Sequence, residues 1–113
     1  MQYSIVSIRD TKITLDVIHA GSDVSMTIYG GEREHIGAVT LGYLNNNSVE
    51  FQTFGVPGHK ENVITEELVR LIVPEYSDTC VLSCGMHWDD ISEKELHKVY
   101  QDTISLINNY LNI

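Results

Sequence analysis

A chain of 113 residues and 12.7 kDa has room for one hydrophobic core, so a single domain over residues 1–113 is expected. Sixteen acidic residues against seven basic ones give a net charge of −9, which repels a polyphosphate backbone and argues against general nucleic-acid binding; 42% apolar and 20% charged residues exclude a disordered tail or a coiled coil. No apolar run approaches the ~18 residues of a membrane span, and Met1-Gln2-Tyr3-Ser4-Ile5 lacks the basic head of a signal peptide, so a soluble, cytoplasmic protein is expected.

The first half reads as strands. Tyr3 to Ile8 leads into the turn residues Arg9-Asp10-Thr11-Lys12. Ile13, Leu15 and Val17 then alternate with Thr14, Asp16 and Ile18, and Val24, Met26 and Ile28 with Ser25, Thr27 and Tyr29, the period of half-buried strands. After Gly30-Gly31, a fourth strand is predicted over His35 to Leu44. Asn45-Asn46-Asn47 suits a hairpin turn, and Val49, Phe51 and Thr53 continue on its far side. These five strands are expected to form an antiparallel meander.

The second half changes period. Ile64, Leu68, Leu71 and Ile72 share one face of a helix that ends near Pro74, and Thr79 to Cys84 forms a short strand. Ser92-Glu93-Lys94-Glu95 is a capping box, with Ile91 and Leu96 placed as a hydrophobic staple for a last helix whose apolar stripe includes Val99, Thr103 and Ile107. The predicted fold is α+β: an antiparallel sheet of about six strands with two helices, in the order β-β-β-β-β-α-β-α, both helices covering one face. Cys80 and Cys84 lie four positions apart on a strand, roughly 13 Å, too far for a disulfide, and are expected to be buried thiols.

Three junctions carry polar residues that a core does not need. Gly30-Gly31-Glu32-Arg33-Glu34-His35 sets one guanidinium in an acidic stretch, where it can meet a phosphate or carboxylate ligand, or simply pair with Glu32 or Glu34. Gly55-Val56-Pro57-Gly58-His59-Lys60-Glu61-Asn62 turns a strand into a helix and could hold an anion, but lacks the ending of a P-loop. Gly85-Met86-His87-Trp88-Asp89-Asp90 offers an imidazole, the sole tryptophan and two carboxylates, the last two also being ordinary residues ahead of a helix. Each junction places a histidine (His35, His59, His87) beside a glycine-rich turn. Were the three to meet, they would suit a divalent metal or a polar ring-and-phosphate ligand. No His-x-His or His-Glu-x-x-His spacing is present, and no Gly-x-Ser-x-Gly elbow. Cys84 close to His87 is weak support for a nucleophilic pair. His19 and His97 read as structural.

Three ordered motifs, His35-Ile36-Gly37-Ala38-Val39-Thr40-Leu41, Gly58-His59-Lys60-Glu61 and Gly85-Met86-His87-Trp88-Asp89-Asp90, resemble the prenylated-flavin chaperone family of LpdD-like proteins. The resemblance runs from about Gly30 to the C-terminus. It implies a fold akin to proteasome-assembly chaperones, a homodimer, and a non-catalytic carrier that binds prenylated FMN, with FMN as a surrogate. Its implied partners are a flavin prenyltransferase and a UbiD-type decarboxylase. Matched by position, the His35, His59-Lys60-Glu61 and His87 segments would form the cofactor site. Arg33 and Lys60 are the phosphate candidates, and His59, His87 and Trp88 the ring-side candidates. Met86 and Trp88 stand where smaller aliphatic residues are expected in relatives. Two other readings stand beside it: a small enzyme using a divalent metal on His35, His59 and His87, and an accessory subunit that docks on a decarboxylase.

Overall fold

Alternation of apolar and polar residues sets the sheet. A computed structural model describes residues 1–59 and 61–112. Its strands are β1 (Gln2–Val6), β2 (Lys12–Ala20), β3 (Asp23–Gly31), β4 (Arg33–Asn45), β5 (Ser48–Gly55) and β6 (Thr79–His87); α1 (Asn62–Ile72) joins β5 to β6, and α2 (Glu93–Leu111) follows β6. One 3-10 turn, Ile8–Asp10, links β1 to β2. Across the sheet, register partners form buried rows such as Val17, Met26, Leu82 and Thr40. Leu68, Val69 and Ile72 of α1 and Val99, Leu106 and Ile107 of α2 close over these rows in one core. Both helices therefore cover the same face, as the periodicity predicts. The opposite face carries the row Ile18, Ser25, Val81, Leu41 and Gln52, with Ile18 and Leu41 exposed.

The six strands, two helices and their order follow the sequence pattern, but the sheet is mixed rather than wholly antiparallel. Its order is β1-β2-β3-β6-β4-β5, with β3 and β6 parallel and every other pair antiparallel. The predicted meander is broken between β3 and β4, where β6 inserts. The physical reason is the helical crossover: α1 carries the chain from the β5 edge back to the middle of the sheet, and a strand arriving through a crossover can pair in parallel. Strand β6 is buried along Cys80, Leu82, Cys84 and Gly85, as a central strand requires.

Helix placement is specified locally. The Ser92 side chain accepts from the Glu95 amide, and Glu95 reaches back to the Ser92 amide, so the predicted capping box is complete. On β4, a Cβ at Gly42 would lie 2.2 Å from Val69 Cγ1, so the missing side chain is the slot into which α1 seats. Beside it the buried Thr40 hydroxyl lies 2.7 Å from Thr65 on α1 and 2.9 Å from Thr53 on β5, a hydroxyl chain that ties helix to sheet without an orphaned polar atom.

Candidate functional site at the end of the central strand

The topology gathers the three polar junctions at one end of the sheet. Gly31, ending β3, and Arg33, starting β4, are both register partners of His87 at the end of β6. The residue between them, Glu32, donates its amide to the His87 carbonyl at 2.8 Å, so the β3–β4 connection bridges over the tip of β6. Gly31 has φ +87°, and a Cβ there would sit 2.4 Å from the His87 carbonyl oxygen; glycine is what allows the bridge. The register of β4 on β6 then slips between Glu34 and Ala38, so that His35, Ile36 and Gly37 bulge opposite Gly85. A Cβ at Gly85 would come 1.7 Å from the His35 carbonyl oxygen. The bulge thus depends on Gly85, and it is what presents His35.

Arg33, Glu34, His35, His59 and His87 line a hollow of about 330 Å³. Two polar clusters occupy its walls. In the first, Arg33 Nη2 lies 2.8 Å from His87 Nε2 and donates to Asp89 Oδ1 at 3.0 Å, while His87 Nε2 is 2.8 Å from the same Asp89 oxygen. Hydrogen bonding from His87 and the charge of Arg33 hold the Asp89 carboxyl below its ordinary range. Arg33 therefore pairs with Asp89 across the strands, and not with its sequence neighbours Glu32 or Glu34. In the second cluster, His35 Nε2 lies 3.0 Å from Glu61 Oε1 and His59 Nδ1 3.9 Å from Glu61 Oε2, with the two imidazole rings 4.5 Å apart. Glu61 tucks against Gly37, where a Cβ would meet its carboxylate at 2.2 Å. Its Oε2 is buried and has no hydrogen-bond partner among the described residues.

Glu61 also borders a second, apolar hollow of about 300 Å³, lined by Val63 and Ile64 of α1, Leu96, Val99 and Tyr100 of α2, and Met86 and Trp88. The tyrosine hydroxyl of Tyr100 donates to Glu67, linking the two helices beside it. Trp88 is only 5% exposed and its indole donates to Thr11 Oγ1 at 2.9 Å, so it forms part of this hollow's wall and not of the histidine hollow. The two hollows adjoin through the His35–Glu61 pair, one polar and one apolar.

Six of the seven residues singled out from sequence thus border one or other hollow: Arg33, His35, His59 and His87 the polar one, Glu61 and Trp88 the apolar one. Lys60 lies outside the described residues. Among the described residues, three side chains with metal-binding donors come within 4.8 Å of one another, His35, His59 and Glu61; His87 stands apart with Asp89 and Arg33. Sequence reasoning missed Arg9. It donates to Glu95 through Nε and Nη2 at 2.9 and 3.0 Å, to Glu32 at 3.0 Å and to the Asp89 carbonyl at 2.7 Å, fastening the bridge over β6 to the start of α2. No sequence signal marks it, because all its partners are remote in the chain. Both cysteines are buried free thiols, as expected, and burial pushes each up to about 12; the nearby Glu61 charge adds to the rise at Cys84. A Cys84–His87 nucleophile would have almost no thiolate at neutral pH.

A mixed six-stranded sheet under two helices, with paired polar and apolar hollows at one end, defines a small α+β protein of the proteasome-assembly-chaperone fold: a chain of a solved yeast 20S proteasome assembly chaperone complex superposes with a TM-score of 0.50 over 94% of this chain and 96% of that one, at 12% identity. A family model described as the prenylated flavin chaperone LpdD-like domain matches residues 7–113, and the chain belongs to that family. It is also 27% identical over 78 residues to Protein LpdD of Lactiplantibacillus plantarum, a match covering 67% of this chain and 57% of that relative. The matched part is thus little more than half the length of the relative. No helix among the described residues is long and apolar enough to cross a membrane.

Proposed function

We propose that this protein is a non-catalytic carrier that binds prenylated FMN at the end of its sheet and delivers it to a UbiD-type decarboxylase. The observation that carries the reading is the adjoining pair of hollows. A phosphorylated, ribityl-bearing ring system has one anionic, hydroxyl-rich end and one broad apolar end. The hollow with Arg33, His35, His59 and His87 offers donors for the first, and the hollow floored by Met86 and Trp88 offers cover for the second. Arg33 and Lys60 are the phosphate-side residues of this proposal, Glu61 with His35 the divide between the two ends, and Trp88 a wall on the ring side. When bound, the cofactor supplies the decarboxylase's chemistry; this chain's residues orient it and keep water from its ring. The membership in the prenylated flavin chaperone family supports the ligand class.

The same reading has a flavin prenyltransferase as supplier and a homodimer as the working unit. Exposed Ile18, Leu41 and Phe54 on the helix-free sheet face support a self-association surface.

Co-expression with a flavin prenyltransferase, anaerobic purification, and absorbance with mass spectrometry test the cargo. Prenylated FMN is expected to co-purify and then to activate an apo-decarboxylase on mixing. Protein that emerges with neither prenylated FMN nor FMN overturns the proposal, and cargo retained without any transfer overturns the delivery step.

A further inference from the structure

Two imidazoles and a carboxylate converge beside the hollows in a way that flavin binding does not by itself require. We infer that His35, His59 and Glu61 form a site for one divalent first-row transition-metal ion. The inference does not depend on the carrier reading.

Four observations support it. The donor atoms of the three side chains lie within 4.8 Å of one another. Donors about 2.0–2.1 Å from a shared tetrahedral ion lie roughly 3.3 Å apart, so only side-chain adjustment separates the present arrangement from a closed site. Glu61 Oε2 is a buried carboxylate oxygen with no hydrogen-bond partner among the described residues, an arrangement costly without a cation. Gly37 leaves open the space into which that carboxylate folds, since a Cβ there would lie 2.2 Å from Oε2. The donor chemistry selects the ion class: paired imidazoles with one carboxylate favour zinc, iron, nickel or copper over calcium and magnesium, which prefer all-oxygen sets. His87 is excluded as a donor because its Nε2 is shared by Asp89 and the Arg33 guanidinium, a cation that would repel an ion placed there.

Three protein donors leave at least one coordination position for water or an anionic oxygen. His35 and His59 both line the polar hollow, so that position borders it.

The test uses the full chain purified without a polyhistidine tag and stripped with chelator. Zn²⁺ is titrated by calorimetry, and Co²⁺ by its visible ligand-field absorption as a geometric readout. The wild type is expected to bind about one ion per chain, with Co²⁺ bands of tetrahedral or five-coordinate intensity. His59→Ala and Glu61→Gln are each expected to weaken Zn²⁺ binding by roughly tenfold or more. His19→Ala, at the end of the sheet opposite His87, should leave it unchanged. Circular dichroism confirms the fold of each variant, and His59, on a turn, is the substitution least able to disturb the core. Absence of stoichiometric binding by the wild type overturns the inference. So does wild-type affinity in folded His59→Ala, or a loss that follows His87→Ala in place of His59→Ala.

Discussion

At Gly85 one added methyl group would collide with backbone, and at Gly37 with the end of a side chain; the two glycines therefore predict opposite phenotypes. The His35 carbonyl cannot retreat from a Cβ on Gly85 without undoing the bulge, so Gly85→Ala should lower stability by about 2–3 kcal/mol, read from urea denaturation. The Glu61 carboxylate can swing away from a Cβ on Gly37. Gly37→Ala should change stability by under about 1 kcal/mol and yet abolish the His35–Glu61 contact, seen as lost Zn²⁺ binding in a protein with an unchanged melting curve. Neither role is legible in the sequence, where each glycine looks like a gap in strand alternation. The histidines were legible because they recur beside turns. Trp88, a ring-side candidate by sequence, is 5% exposed and lines the apolar hollow with its indole held by Thr11; the sequence marks the tryptophan but not that partner, which lies 77 residues away.

Among the elements, α2 was the most readable, because a capping box is a local device whose two hydrogen bonds need no tertiary partner. Ser92→Ala should cost about 1 kcal/mol in denaturant melts. Glu95 of the same box, gripped by Arg9, gives an acid response. Hydrogen bonds from Arg9 and from the Ser92 amide hold the Glu95 carboxyl at about 2, against 4.5 when unperturbed. A carboxylate lowered on folding stabilises the native state above its unfolded value and loses that effect as pH falls through the folded one. The melting temperature should therefore fall as pH drops from about 4.5 toward 2, and Glu95→Gln should flatten the profile in that window while lowering stability above it. Strands were legible individually, through alternation, but their neighbours were not. Period-two patterning says which face a residue takes and nothing about which strand lies alongside, so the insertion of β6 between β3 and β4 could not be read.

For the whole molecule, the carrier proposal rests on the apolar hollow between the starts of α1 and α2, and its rim can be altered without touching the core. Val63 and Leu96 line it yet are 59% and 57% exposed. Leu96→Glu should leave the melting temperature close to wild type and weaken flavin retention roughly tenfold, about 1.4 kcal/mol, measured by anaerobic absorbance titration. Ile18→Glu, on the helix-free face, should spare flavin retention and shift the sedimentation profile toward monomer. The insertion of β6 also has a consequence for how the chain is made. In the strand order, β1–β2–β3 and β4–β5 are joined only through β6, so without residues 79–87 each group would be left with an unpaired inner edge. The last strand works as a keystone, and a nascent or truncated chain stopped short of it would offer neighbouring copies two open seams in place of one finished arch.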